Sequence, residues 1–248
     1  AGAMAPVTIV GSIVQQTAEC LAAVALLEYI TPGTPVVFGA FTSNVDMKSG
    51  SPAFGTPEYM RAMQISGQMA RFYKLPWRGS NANASNAPDG QAIWESQNSL
   101  FSVLSGHCGV VFHAAGWVEG GLSASFEKVV MDCEMIQQWM YYNRPIDMSD
   151  DELGLDAMKE VGPNGHFFGC QHTQSRYRNA FYNPFLSDWR NYEAWAEAGS
   201  QMAHERAHTL YKEILAEYTP PPIDLAIKEE LEAFVARRKE EGGAPTDF

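Results

Sequence analysis

Apolar positions recur along the chain in two alternating rhythms. Across residues 9–30, Ile13, Cys20, Leu21, Val24 and Leu27 fall at mixed three- and four-residue spacings, which predicts a helix with one buried stripe. Thr31-Pro32-Gly33 stops it. Pro35-Val36-Val37-Phe38-Gly39-Ala40-Phe41 is then an uninterrupted apolar run, β-branched and aromatic, and predicts a strand buried on both faces. A polar loop, 42–55, leads to Thr56-Pro57-Glu58, an N-cap residue, a first-turn proline and an acid, so a helix should run from there to Tyr73. The plan repeats with a strand at 75–78, a loop holding Asn81, Asn83 and Asn86, and a helix over 89–104. It repeats again with Gly109-Val110-Val111-Phe112-His113 as a buried strand and a Gly-rich loop at 114–123. The helix after that loop has one face traced by Phe126, Val129, Val130, Cys133, Ile136 and Met140.

Short strands alternating with amphipathic helices indicate parallel β/α units, because parallel strands need such crossovers. Residues 165–172 offer one more strand. Buried parallel strands build either an open doubly wound sheet or a barrel. No G-x-G-x-x-G or phosphate-binding loop follows any strand, and this favours the barrel. Beyond the third unit the character changes. Ser149-Asp150-Asp151-Glu152 should open a helix to Val161. Residues 191–218 read as a charged helical stretch ended by Thr219-Pro220-Pro221-Pro222, 225–239 read as another helix, and the chain should fray after Glu241.

Charge narrows the functional classes. With a net charge of -12, the 248-residue chain lacks the clustered cations that nucleic acid demands, so no nucleic-acid partner is expected. No stretch approaches about 18 uncharged apolar residues, so no membrane span is expected. The start, Ala1-Gly2-Ala3-Met4-Ala5-Pro6, lacks the basic region of an export signal. Cys20, Cys108, Cys133 and Cys170 show no paired spacing and read as small buried residues rather than disulfide partners, which together with the rest favours the cytoplasm.

Six ordered runs carry a resemblance: Thr34-Pro35-Val36-Val37-Phe38-Gly39, Asp46-Met47-Lys48-Ser49-Gly50-Ser51-Pro52, Phe54-Gly55-Thr56-Pro57-Glu58, Pro88-Asp89-Gly90-Gln91, His113-Ala114-Ala115-Gly116-Trp117-Val118-Glu119-Gly120-Gly121-Leu122 and Gly162-Pro163-Asn164-Gly165-His166-Phe167. In these the chain resembles the trimethylamine methyltransferase family over nearly its whole length. The resemblance implies a (β/α)8 TIM-barrel fold of which this chain covers roughly the C-terminal half: residues 1–175 as barrel and 176–248 as a helical extension packed on it. It also implies transfer of a methyl group from a methylated amine to the Co(I) of a corrinoid (cobalamin-type) cofactor carried by a partner corrinoid protein, with no metal bound directly by this chain. Either a second copy or a missing N-terminal half should cover the exposed sheet edges. The archaeal trimethylamine enzymes of the family carry pyrrolysine in the loop matching residues 78–86, near Ala82. Only ordinary residues stand there in this chain, so it resembles the non-pyrrolysine branch, for which quaternary amines such as glycine betaine are the implied substrates.

In a barrel the working residues follow the strands. This selects Thr42, Asn44 and Asp46 after the first strand, Arg78, Asn81 and Asn83 after the second, and His113, Trp117 and Glu119 after the third. Phe41, Trp77 and Trp117 offer aromatic faces to a cation that cannot hydrogen-bond. Arg78 or His113 suits a substrate carboxylate, and Glu119 complements a cationic nitrogen. Each has a structural alternative: His113 as a core histidine, the asparagines as turn formers, Asp46 as a loop cap paired with Arg78, and the aromatics as core. His204-Glu205-Arg206-Ala207-His208 fits a zinc-protease motif, but Arg206 stands where such a helix is apolar and no third ligand is evident, so it reads as chance. Two other functions remain open: a lyase built around Lys48, and a non-catalytic protein that binds methylated amines.

Overall fold

Helix-start chemistry in the first half of the chain is realised almost residue for residue. The computed structural model describes residues 1–39 and 41–242. The chain divides into two compact units, one of residues 1–211 and one from Lys212 onward. In the first, the side chains of Thr8, Thr56, Asp89 and Ser125 each accept from a backbone N–H of the helix they open. These four helices are α1 (Ile9–Ile30), α2 (Pro57–Phe72), α3 (Gly90–Ser105) and α4 (Phe126–Tyr142). The strands between them are β1 (Phe38–Gly39), β2 (Asn44–Val45), β3 (Pro52–Ala53), β4 (Trp77–Ser80), β5 (Val110–Phe112), β6 (Trp117–Val118) and β7 (Ser123–Ala124).

β1, β4 and β5 form one parallel sheet in the order β1-β4-β5, with Phe38 beside Trp77 and Ser80 beside Phe112. β2 pairs with β3, and β6 with β7, as two small antiparallel hairpins inside segments expected to be loops. The expected strand over 35–41 shrinks to Phe38–Gly39, and Ala40, which falls in it, lies outside the described residues.

The (β/α)8 TIM barrel expected for this chain is not what it forms. Among the described residues there are seven strands in three small open sheets, and none closes. The domain is mixed α/β. Strand alternation shows why. Trp77 and Gly79 turn toward α2 and α3, and a Cβ on Gly67, Gly79 or Gly106 would lie within van der Waals reach of the Trp77 ring. The other face is open, with Val110 49% and Phe112 47% exposed. The apolar run therefore marks a strand covered on one side only, a case that composition does not distinguish from burial on both faces.

The core gathers Phe38, Phe54, Tyr59, Met63, Trp77, Leu100, Val103 and Met135 between the sheet and α1–α4. Other burial predictions are corrected as well. On α1 only Ile13 of the predicted stripe is buried and Leu27 is 43% exposed, since the helix meets α2 through Ser12, Ile13, Gln16 and Thr17. Gln16 Nε2 donates to Ser66 Oγ (2.9 Å) across that contact. α1 is long and apolar enough to cross a bilayer by length and composition, although Glu19 and Glu28 interrupt it. On α4 the buried set is Lys128, Val130, Asp132, Glu134 and Met135, while Phe126, Val129 and Cys133 face outward. Of the four cysteines, all free, only Cys170 is buried.

Residues 165–172 form no strand but a 3-10 turn at Phe167–Gly169 that leads into a helix. The capping-box helix is split by Gly154 (φ 63) into α5 (Asp150–Leu153) and α6 (Leu155–Val161); α7 spans Gln171–Arg176. The stretch at 191–218 is likewise broken at Gly199 (φ 96) and Ser200 (φ 54) into α8 (Tyr192–Glu197) and α9 (Ala203–Glu217). The second unit holds the end of α9 and α10 (Leu225–Glu240), whose Asp224 cap accepts from Ala226 N (2.8 Å). The expected fraying after Glu241 concerns residues 243–248, which lie outside the described residues.

Glu134 fastens the 182–187 segment to α4. It accepts from Tyr182 Oη (3.0 Å), Phe185 N (3.0 Å), Leu186 N (2.9 Å) and Ser187 Oγ (3.1 Å), and it is 4% exposed. Burial raises its pKa, but the hydrogen bonds from Leu186, Gln138, Tyr182 and Phe185 together outweigh that and hold it below the ordinary glutamate value. Glu134→Gln should cost roughly 2 kcal/mol in denaturant unfolding at neutral pH. With a depressed folded-state pKa, the advantage of glutamate is complete above the unfolded value and is lost as pH falls through the folded one. The unfolding curves of the wild type and of this variant should therefore converge in acid; a gap independent of pH would refute the assignment.

Candidate functional site

Because β1, β4 and β5 are parallel, the residues that follow them emerge along one edge of the sheet. At that edge Phe41, His113 and Trp117 meet. The His113 ring lies 6.2 Å from Phe41 and 5.6 Å, edge-on at 82°, from Trp117. Phe54 stacks on Phe41 at 5.5 Å, and Tyr59 meets both rings edge-on, at 6.2 Å from Phe41 and 5.7 Å from Phe54. Phe54 and Tyr59 are buried, while Phe41 and His113 are exposed, so two inner rings back an open aromatic wall.

The polar groups beneath the wall set its angles. Ser80 Oγ lies 2.5 Å from His113 Nδ1, and Tyr59 Oη donates to Ser80 O (2.8 Å). Burial pushes the Tyr59 phenol well above its ordinary pKa, so it stays a donor. His113 itself sits in the left-handed region (φ 53), which turns the chain as soon as β5 ends. Asn81 Nδ2 donates to Ala114 O (3.0 Å) and Asn83 Nδ2 to Trp117 O (2.5 Å), tying the loop after β4 to the loop after β5. Glu95 on α3 accepts from Ala84 N (2.8 Å) and Ser85 N (3.0 Å), which pins the same Asn-bearing loop.

Arg78 projects from the open face of β4. Its guanidinium lies 4.8 Å from the centroid of Phe112, whose ring is 6.3 Å from His113, so Arg78 adjoins the wall through Phe112. Among the described residues no ion pair joins it to Asp46. Three other expected residues stand apart. Trp77 is 3% exposed in the core between α2 and α3. Asp46 closes the turn between β2 and β3 by accepting from Lys48 N, Ser49 N and Ser49 Oγ, bonds that lower its pKa. Glu119 is exposed and accepts from Ser123 Oγ (2.7 Å). Asn44 Oδ1 accepts from the Thr56 hydroxyl (2.7 Å), and Thr42 Oγ1 donates to Gln16 Oε1 (2.6 Å).

Phe54, Tyr59 and Ser80 belong to the site's frame and were not anticipated. Tyr59 lies three residues beyond the Thr56 cap and Ser80 two beyond Arg78, so chain position alone held the only hint.

Two concavities lie elsewhere. One of about 740 Å³ is lined by Asp150, Asp156, His172 and Arg176, and one of about 730 Å³ by Glu127, His204 and His208. In the second, Glu205 caps Met202 N (2.7 Å) and Arg206 donates to Leu186 O (3.0 Å). His208 Nδ1 meets Glu127 Oε1 at 2.8 Å, an interaction that with the Ser125 hydroxyl draws the Glu127 pKa down to about 2. Among the described residues no group of three potential metal ligands converges anywhere.

An edge of aromatic rings following parallel strands, on a chain carrying the six runs in order, defines a class that comparison with known proteins makes explicit. Residues 1–243 match the family described as Trimethylamine methyltransferase (MTTB), and the chain belongs to that family. It is similar to a glycine betaine methyltransferase of Desulfitobacterium hafniense (strain Y51), 37% identical over 244 residues, which cover 98% of this chain and 51% of that protein. It is also similar to trimethylamine methyltransferase MttB of Desulfitobacterium hafniense (strain DSM 10664 / DCB-2), 30% identical over 98% of this chain and 49% of the relative. To trimethylamine methyltransferase MttB1 of Methanosarcina acetivorans it is 29% identical over 95% of this chain and 48% of the relative. The chain spans about half the length of these relatives.

Ser80→Ala removes the partner of His113 Nδ1. Imidazole ¹⁵N spectra should then change from one dominant tautomer to a mixture, with a stability loss of about 1 kcal/mol. An unchanged His113 signal would mean that Ser80 does not orient the ring.

Proposed function

We propose that this chain is the amine-binding part of a methyltransferase that passes a methyl group from a quaternary, betaine-like amine to a reduced corrinoid carried by a partner protein. The observation that carries the reading is the wall of Phe41, His113 and Trp117 rings at one sheet edge, in a chain of this family. A quaternary nitrogen offers no hydrogen bond, and ring quadrupoles are what attract such a charge. The guanidinium of Arg78 lies over Phe112, and among the described residues its N–H groups meet no hydrogen-bond acceptor, an arrangement suited to the carboxylate of a betaine. Position 82 holds a buried alanine in place of an unusual residue, in keeping with a substrate whose nitrogen already leaves without help.

The corrinoid is a substrate here. Its reduced cobalt supplies the electron pair that forms the new bond to the methyl carbon, while the C–N pair departs with the nitrogen. The work left to this chain is to hold the onium group still and to shield it from water on one side. Phe54 and Tyr59, dry behind Phe41, do the shielding, and the exposure of Phe41 and Phe112 leaves the other side accessible to a large partner. No acid-base step is required of His113, which serves as a third face of the wall. Glu119 is held by Ser123 and takes a secondary part at most. The reading puts the chain in the cytoplasm, where its four free thiols stay reduced.

The deciding assay mixes the protein with cob(I)alamin and a panel of quaternary and tertiary amines and follows methylcobalamin by its absorption. Conversion with a betaine and not with trimethylamine is expected. Trp117→Leu and Phe41→Leu should each weaken betaine binding by roughly threefold to thirtyfold. Binding without any methyl transfer would favour a non-catalytic binding protein, and neither binding nor transfer would remove the site.

A further inference from the structure

The side of α4 that meets α3 carries charge where a core would carry none. Lys128 is 0% and Asp132 1% exposed, and Lys128 Nζ donates to Asp132 Oδ1 (2.5 Å) one helical turn away. Two lines of hydrogen bonds leave this pair. By the first, Asp132 Oδ2 accepts from Gly116 N (2.8 Å). By the second, Lys128 Nζ donates to Ser96 Oγ (2.8 Å), and Asn83 Nδ2 reaches both Ser96 Oγ (3.4 Å) and Trp117 O (2.5 Å). Both end on consecutive residues of the turn that presents the Trp117 indole.

Stability alone does not explain the arrangement. Burial lowers the pKa of Lys128 and raises that of Asp132, so each charge persists through the other. Pairs of this kind are often replaceable by apolar side chains at no loss in stability. The turn itself resists being placed by default. Gly116 has φ +88, and a Cβ there would come 2.4 Å from Val129 Cγ2, so its backbone is pressed against α4 in a conformation that favours glycine.

We propose that the Lys128–Asp132 pair is the positioning element of the aromatic site, clamping the Gly116-Trp117 turn to α4 and α3 so that the indole keeps its edge-on angle to His113. Neither residue contacts the aromatic wall; both act through the backbone of the turn. The consequence for onium binding rests on the function proposed above, whereas the clamp does not.

The test labels the full chain with 5-fluorotryptophan, assigns the Trp117 ¹⁹F line through Trp117→Phe, and titrates tetramethylammonium as the probe. The double variant Lys128→Met with Asp132→Leu exchanges the charges for apolar bulk. Its melting temperature should fall by no more than several degrees, the cost of leaving Gly116 N without its acceptor, while the Trp117 line shifts and broadens and probe affinity falls roughly tenfold. Ser96→Ala, which cuts only the second line and threatens the fold least, should move the Trp117 line less in the same direction, and it decides the matter if the double variant does not fold. An unmoved Trp117 line in the folded variants overturns the proposal. A line that moves in a protein whose wild type binds no tetramethylammonium upholds the clamp and rejects the onium reading instead.

Discussion

The register of three parallel strands is the constraint on which the rest depends. With Phe38 beside Trp77 and Ser80 beside Phe112, the chain leaves β4 and β5 at the same level, so Ser80 Oγ reaches His113 Nδ1. A one-residue slip would reverse the faces of every side chain on the slipped strand. It would bring Arg78 into the helix-covered core and put the Trp77 indole on the open face. The glycines at 67, 79 and 106, which leave space for that indole, fit only one register. The core thereby enforces the geometry of an edge that has little packing of its own.

Above that register the site is built by backbone capture more than by side-chain packing. Asn81, Asn83, Glu95 and Asp132 each make at least one hydrogen bond with a main-chain atom of the loops after β4 and β5. Loop backbone held by buried polar side chains keeps one conformation, because every alternative strands a buried donor or acceptor. Left-handed φ values at His113 and Glu119 and at Gly116 and Gly120 lie within this captured stretch, as expected where surroundings over-determine the chain.

Local signals are legible in this sequence and tertiary closure is not. The Thr56 cap and the helix start at Asp89 are legible because a cap is settled within four residues, whereas the Thr8 and Ser125 caps, equally local, were not anticipated. The β/α alternation is equally legible, yet alternation says nothing of how many units close on one another, and the sheet is open. The apolar stripe predicted on α4 fails at Val129 and Cys133 because Lys128 and Asp132, charged residues that a pattern assigns to solvent, neutralise each other inside. At the site, His113 and Trp117 are legible as residues selected after the third strand, and Phe41 as an aromatic face closing the first. Tyr59 and Phe54 come from a helix and a hairpin, which no strand-end rule reaches. Gly154, Gly199 and Ser200 break stretches expected to be continuous helices, since a left-handed residue ends a helix whatever its flanks favour.

The same buried polar groups that make the pattern misleading are those that place the aromatic rings, and the two facts have one cause. Helical periodicity assumes that the inward face is stabilised by hydrophobic burial. On α4 that face is instead committed to Gly116 N and, through Ser96 and Asn83, to Trp117 O, at a desolvation cost met inside the pair. A helix devoted only to stability would carry leucine at 128 and 132 and match its pattern. Disagreement between pattern and burial therefore marks the segment where α4 serves the loop beside it, and it does so at the residues adjoining the ring that faces His113.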